Sequence, residues 1–422
     1  MYWLIETEEQ LQELVNKKLT DVFVEIIPYN NNIHPKLNHV SCIYLKPLYD
    51  EKGYMLCINH SETLSINITV IERLLKSIDT ICTRDKKALL YYFPLKNILD
   101  ISFNLPEIPN HNTQAHDFFY SRYSDKSDIN RIIPVYKHYE YCEDLYAKIE
   151  DYIATGPNFY DKAALAFFGI EKNGIKIDVD LFNQYYETNN KEYSISDDII
   201  YTQYNLLTTT KRPSNTFNNI NFAALNKDNG GRMAFIPRND QFVEIDISAY
   251  HPTLAAKIIG YDFGDKDIHQ SFAEMYGVDY KEAKQITFRQ LYGGIYSEYK
   301  DLPFFKKVQE YVDHLWDVFN TVGYIECPLS NYRFYKDNLP NMSPQKLFNY
   351  LLQNLETSQN VLILLDIHKL LRKKNTKIVL YTYDSFLLDI DKDELDILED
   401  IKTIFNKLKL QIKISYGNNY DF

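Results

Sequence analysis

Two apolar segments, FVEIDIS at 242–248 and KIVLYTYDSFLLDI at 377–390, each carry an aspartate where the strand-forming residues give out. Their density of β-branched and aromatic side chains reads as strand. Asp246 then sits at a strand end, and Asp384 at the tip of a tight hairpin. Adjacent strands lie about 4.8 Å apart. Acids at neighbouring strand ends can therefore share two divalent cations about 3.5–4 Å apart. Each acid alone also has an ordinary explanation. Asp246 suits a cap on the turn before the helix HPTLAAKIIG, and Asp384 suits any turn.

Between them runs DYKEAKQITFRQLYGG, 279–294. Asp279 and Glu282 read as a capping box, and Gly293 and Gly294 as the stop. Lys284, Phe288 and Tyr292 recur every four residues and so share one helix face. An amphipathic core helix with a snorkelling lysine has the same spacing. A nucleotide site needs the same three types: a cation for the triphosphate, an aromatic ring for the base, and a phenol beside the sugar.

At 422 residues the chain has room for two or three domains. No run of 18 apolar residues suggests a membrane span. The opening MYWLIETEEQLQELV carries acids early and no small-residue cleavage site, which predicts a cytoplasmic protein. Cys42, Cys57, Cys82, Cys142 and Cys327 lack metal-ligand spacing and read as reduced packing residues. The net charge of −12 excludes nucleic-acid binding by global charge. Any nucleic acid must meet basic groups concentrated in a cleft.

Residues 1–150 read as an α/β domain. The helix EEQLQELVNKK leads into strands DVFVEII, HVSCIYL and YMLCINH, then helix TVIERLLKSI and strand ALLYYF. A charged helix, CEDLYAKIEDYIAT, links to a helix, a stop at Gly174, a strand IKID and a new helix. Residues 188–207 are short and polar. TTTKRPSNTFNNINFAAL, 208–225, is a loop with Arg212 near its centre.

Taken in order, these passages resemble family A DNA polymerases. YKEAKQITFRQLYG is similar to their R-x3-K-x3-F-x3-Y-G helix, with Tyr280 in place of the Arg and Lys281 beside it as a substitute. The 208–225 loop resembles their T-G-R-x-S segment, with Lys211 in place of Gly. GGRMAFIPRNDQFVEIDIS is similar to the approach to their first metal-binding Asp, with Arg232 and Phe235 in matching places. NYLLQNLETSQ sets Asn349 and Gln353 at their N-x3-Q spacing. SNYRFY and the terminal KISYGNNYDF also have counterparts. The likeness spans residues 159–422.

The resemblance implies a multidomain α+β and α/β fold. An RNase H-like 3′–5′ exonuclease-type domain at 1–150 precedes a polymerase domain at 151–422. Within the latter, 188–211 is a vestigial thumb, 212–260 and 325–422 the palm, and 261–324 the fingers. Asp246, Asp384 and the Ile247 carbonyl would hold two Mg²⁺ ions, with Mn²⁺ as a substitute. Lys284, Phe288, Tyr292, His251 and Lys281 would meet the nucleotide, with Lys284 also catalytic. Arg212, Asn349, Gln353 and Tyr383 would meet DNA. The implied partners are primer–template DNA, dNTPs and a processivity factor, in a small phage-type enzyme acting in host cytoplasm.

Four departures stand out. Position 251, where the family has a ribose-excluding Glu, is His. Tyr383 replaces the His before the second Asp. Ser385 replaces the acid after it, as in single-subunit phage RNA polymerases, which keeps a ribonucleotide-using enzyme open. In the first domain, Glu25-Ile26-Ile27 lacks one acid of the exonuclease Asp-x-Glu, with Asp100, Asp117 and Asp144 as remnants. The domain is therefore expected to be inactive. A polymerase-shaped scaffold is the remaining alternative.

Overall fold

The computed structural model describes residues 3–105, 127–153, 156, 158–186, 195–217, 220–264 and 266–422. The chain divides into two compact units, Met1–Lys172 with Glu192–Gln203, and Asn173–Lys191 with Tyr204–Phe422.

The first unit is built on a six-stranded mixed sheet. Its strands are β1 (Trp3–Ile5), β2 (Asp21–Pro28), β3 (Val40–Pro47), β4 (Tyr54–Cys57), β5 (Thr80–Thr83) and β6 (Ile98–Asp100), in the order β1-β4-β3-β2-β5-β6. The β2–β3 and β3–β4 pairs are antiparallel, while β5 and β6 run parallel to β2. Helices α1 (Glu8–Asn16), α2 (Ile68–Ser77), α3 (Lys86–Tyr92), α4 (Val135–Ile153) and α5 (Phe159–Glu171) complete it. Both sheet faces are covered, so β3 and β4 are buried at every position.

ALLYYF is helix α3, not the strand its composition predicts. Asp85 caps it by accepting the Ala88 N–H at 2.9 Å. That cap starts a helical turn, which overrides the aromatic β-propensity. The strands on either side, β5 and β6, are short enough to escape a sequence reading.

Among the described residues, the acids of this unit form no cluster that could hold a metal. The Glu25 carboxylate is held by Arg84, with Nη2–Oε1 at 2.5 Å and Nε–Oε2 at 3.3 Å, and Arg84 also reaches the Tyr141 hydroxyl at 3.0 Å. Asp100 lies two strands away, accepting the Lys86 and Ser102 N–H groups at 3.0 Å. Burial raises its carboxyl to about 7. Asp144 is exposed on α4, and Asp117 falls outside the described residues.

The second unit opens with β7 (Ile175–Ile177), after Gly174 at φ +63°, and α6 (Val179–Tyr186). β8 (Phe235–Ile236) pairs antiparallel with β7. Its main sheet holds β9 (Gln241–Ile247), β12 (Lys377–Thr382), β13 (Ser385–Ile390) and β14 (Ile412–Gly417), all antiparallel, in the order β12-β13-β9-β14. Alternation along β9 buries Val243, Ile245 and Ile247, and places Glu244 and Asp246 on the other face. Helices α7 (Tyr250–Ile259), α8 (Ile268–Tyr276), α9 (Tyr280–Gly293) and α10 (Pro303–Val322) follow. The small hairpin β10 (Tyr324–Glu326) and β11 (Arg333–Tyr335) leads to α11 (Pro344–Leu370), and α12 (Ile397–Lys407) precedes β14. Of the stretch expected to be a reduced thumb, 188–194 lie outside the described residues. The rest carries only a short hairpin, Ile195–Ser196 with Ile199–Ile200, and loop. Among the described residues, no helix is long and apolar enough to cross a membrane.

Replacing Arg84 by Met should strand a buried carboxylate and cost about 3–5 kcal/mol. Adding Glu25→Gln should recover most of that loss, as read by the midpoint of denaturant unfolding monitored in the first unit.

Candidate active site

The antiparallel register sets Asp246 opposite Ser385, so Asp384 is one residue beyond the end of β13 and beside the end of β9. The Ile247 N–H donates to the Asp384 carbonyl at 2.8 Å, locking the turn to the strand. Within the turn, the Asp384 N–H donates back to the Thr382 carbonyl at 2.8 Å, across Tyr383 at φ +65°. This is a γ-turn of the rare positive-φ kind. Ala249, at φ +49°, starts α7 without any side-chain cap, so Asp246 is not used as a cap. Non-glycine residues in this region cost on the order of 1–3 kcal/mol each and gather where function holds the backbone. Here they flank both acids.

Among the described residues, neither acid has a cation in hydrogen-bonding contact. Burial, then the charges of Asp246 and Glu356, push Asp384 up to about 6. Burial and Glu244 raise Asp246, while Lys284, Lys227 and Lys413 oppose the shift. The Ser385 hydroxyl donates to Glu244 at 2.7 Å.

Both acids line a cavity of 330 Å³ with Arg212, Tyr250, His251, His269, Tyr280, Lys284, Phe288, Tyr292, Glu356 and Lys413. Helix α9 contributes one full face, Tyr280, Lys284, Phe288 and Tyr292. Asp279 caps it by accepting the Glu282 N–H at 2.8 Å, and Gly294, at φ +103°, ends it. The Phe288 and Tyr292 rings stack at 5.7 Å and 15°. Lys281 is exposed and lies off the cavity, because one step along a helix turns a side chain by about 100°. Tyr280, which stands in the position of the expected cation, faces the cavity itself. Ile247 is buried and reaches the site only through its backbone.

His269 is a site residue that sequence reasoning passed over. It is 2% exposed, and neither ring nitrogen has a hydrogen-bond partner. Its ring packs edge-on to Tyr280 at 5.6 Å and against Phe288 at 5.9 Å. Burial and the nearby Lys284 charge lower its basicity. A buried imidazole without partners calls for a ligand. The signal available in sequence was a lone histidine at the start of α8, which is too common to single out.

The expected DNA-contacting residues gather on and beside α11. Its Asn349, Gln353, Glu356 and Asn360 recur at helical spacing and form one polar stripe. Gln353 donates to Asn349 at 3.3 Å and accepts from the Thr210 hydroxyl at 3.0 Å. Asn360 donates to the Tyr381 hydroxyl at 2.8 Å and the Tyr383 carbonyl at 2.6 Å, and accepts from Tyr250 at 2.8 Å. Arg212 lies 3.7 Å over the Tyr383 ring and donates to Glu356 at 3.1 Å. Lys211 adopts φ +60°, which accounts physically for a glycine at that place in the family pattern. Asn349, Gln353 and Tyr383 lie off the cavity, while Arg212 borders it. Glu356 and Asn360 were not singled out from sequence. A run of polar residues in mid-helix, Glu356 to Asn360, before the apolar pattern resumes at Val361, was their signal.

No group of three or more His, Cys, Asp or Glu side chains placed to hold a metal occurs among the described residues. The donor set is two carboxylates with open space beside them. Hard oxygen ligands, incomplete until phosphate or water oxygens join, suit Mg²⁺ or Mn²⁺. The raised Asp384 carboxyl has a stability consequence. Its folded value exceeds the unfolded one, so its contribution is full below about pH 4 and is lost as pH rises through about 6. Asp384→Asn should therefore stabilise the metal-free protein at pH 8 by on the order of 2 kcal/mol, with no gain at pH 4. Added Mg²⁺ should raise the melting temperature of the wild type but not of the variant.

No family model matches the chain, and no curated protein matches its sequence. In fold it is similar to the POL domain of Pol1 from M. smegmatis, solved in complex with DNA primer-template and dNTP. The TM-score is 0.73 at 14% sequence identity, covering 100% of this chain and 99% of that chain, and the mixed α/β architecture is thus that of a polymerase domain.

Proposed function

We propose that this chain is a template-directed DNA polymerase of the family A type, reduced in size, that extends a primer 3′-end with deoxynucleotides. The observation that carries this reading is the cavity in which Asp246 and Asp384, adjacent by strand register, face Lys284, Phe288 and Tyr292 on one helix. Asp246 and Asp384, with the Ile247 carbonyl, would hold two Mg²⁺ ions, which when bound activate the primer hydroxyl and neutralise the leaving pyrophosphate. Lys284 pairs with the triphosphate and can protonate the pyrophosphate. His269, with both nitrogens unengaged beside Lys284, is a second phosphate ligand. Phe288 stacks on the base, and Tyr292 and His251 form the sugar wall. Tyr280, rather than Lys281, occupies the outer end of that face.

Arg212, Asn349, Gln353 and Tyr383 form the surface that meets primer–template. Minor-groove acceptors common to all base pairs suit amides and guanidinium. The formal charge of −12 leaves long-range attraction to DNA weak, which favours a processivity partner. The first unit reads as an RNase H-like nuclease fold without nuclease chemistry, supported by Glu25 being bound to Arg84. Ribonucleotide use is the second reading, supported by His251 at the position of a sugar-excluding acid.

Extension of a primed template with Mg²⁺ tests the proposal, with dNTPs and rNTPs in separate reactions. Asp246→Asn and Asp384→Asn should each abolish extension while the fold persists. Lys284→Ala and His269→Ala should each lower kcat/KM by about 10²–10³. The 3′-end should stay intact without nucleotides. Undiminished extension by Asp384→Asn would remove the assignment. Equal rates with rNTPs would favour the second reading.

A further inference from the structure

Side chains from two separate segments converge on Glu356. Its Oε1 accepts from Nε of Arg212 at 3.1 Å, and its Oε2 is bonded to Nε2 of His251. The other nitrogen of that imidazole, Nδ1, lies 2.7 Å from the Tyr292 hydroxyl on α9. Glu356 and His251 are buried, whereas Tyr292 is 40% exposed and faces the cavity. The chain Arg212–Glu356–His251–Tyr292 therefore runs from the arginine stacked on the Tyr383 turn to the nucleotide-facing helix.

With the His251 imidazole neutral, the protons in this chain can be placed. Burial alone would raise the Glu356 carboxyl, but its contacts with His251 and Arg212 outweigh it and hold it below the usual range. The carboxylate is ionised and can only accept. The hydrogen shared with His251 therefore belongs to Nε2 of the imidazole. A neutral imidazole protonated there has a bare Nδ1, which must accept. Its partner among the described residues is the Tyr292 O–H, 2.7 Å away, which then donates. A hydroxyl has one hydrogen, so the Tyr292 oxygen then turns only lone pairs to the cavity.

We propose that Glu356 is a positioning residue: through the tautomer of His251 it turns the Tyr292 hydroxyl hydrogen away from the cavity and leaves an acceptor on the wall that meets the nucleotide. The group this wall suits is a sugar hydroxyl that donates. That functional consequence rests on the polymerase reading, whereas the proton arrangement does not. Glutamine at 356 reverses the polarity. Its carbonyl can still accept from Arg212, but its amide then donates to Nε2. The hydrogen of His251 moves to Nδ1 and donates to the Tyr292 oxygen, and the Tyr292 hydrogen is released toward the cavity.

Two measurements on the full chain test this. Two-bond ¹H–¹⁵N correlation spectra of histidine-labelled protein at pH 8 read each ring tautomer, with His251 identified by the signal lost in His251→Gln. The wild type should show the Nε2–H form and E356Q the Nδ1–H form. A wild-type Nδ1–H form, or an imidazolium, overturns the proposal whether or not the protein polymerises, and so does an unchanged tautomer in E356Q. In steady-state extension, E356Q should raise nucleotide KM about tenfold, equivalent to one hydrogen bond of about 1.4 kcal/mol, and by a larger factor than it lowers kcat. In a Tyr292→Phe background, which has no hydroxyl to turn, the same substitution should change KM less than twofold. An equal effect in both backgrounds makes Glu356 a packing residue only and overturns the proposal. Absence of extension in the wild type would count against the polymerase reading alone, leaving the spectra to decide this one.

Discussion

Strand register at the β9–β13 pair is the constraint from which the site follows. Opposing Asp246 to Ser385 leaves Asp384 in the turn, and the Ile247 N–H to Asp384 carbonyl bond fixes it there. A slip of one residue would send Asp246 to the apolar face and replace it with Ile245 or Ile247. Buried Val243, Ile245 and Ile247 on the opposite face forbid that slip. Apolar packing thus holds two like charges close together, against their mutual repulsion. Burial first, and then the Asp246 and Glu356 charges, raise the Asp384 carboxyl.

Helix α11 carries the second constraint. An ordinary core helix buries apolar residues, yet this one buries Asn354, Glu356, Thr357, Ser358, Gln359 and Asn360. Buried polar groups are tolerated when partners satisfy them. Asn360 finds Tyr250, Tyr381 and the Tyr383 carbonyl, and Glu356 finds Arg212 and His251. Asn354 finds the Thr210 carbonyl at 3.0 Å and the Ser330 hydroxyl at 2.8 Å. The helix therefore acts as a directional fastener between the Asp384 turn, the Arg212 loop and α7. Dispersion contacts alone would hold these parts together but would not fix which atom faces which.

The first unit spends its buried charge differently. Glu25 is bound to Arg84, Lys87 to Glu171, and Lys86 to Asp161 at 3.3 Å. Acids neutralised in this way hold structure and are poor candidates for metal ligands. In the second unit Asp246 and Asp384 are left without such partners among the described residues.

Strong periodicity made much of this readable in advance. The strand at 21–28, the helix at 280–293, its glycine stop and the hairpin around Asp384 all follow from local pattern, since burial selects apolar residues at the period of the element. ALLYYF failed because one capping aspartate outweighed six residues of β-propensity. Lys281 lies off the cavity because facing is set by the helix axis relative to the cavity, which nearest-neighbour reasoning does not contain. The sequence by itself determined which residue types share a helix face and which acids end strands, because those depend on spacing of a few residues. Only the tertiary structure decided that Glu356 would meet both Arg212 and His251, and that neither ring nitrogen of His269 would find a hydrogen-bond partner. Those facts depend on atoms brought together across long loops, where contact geometry, and not local spacing, sets the energy.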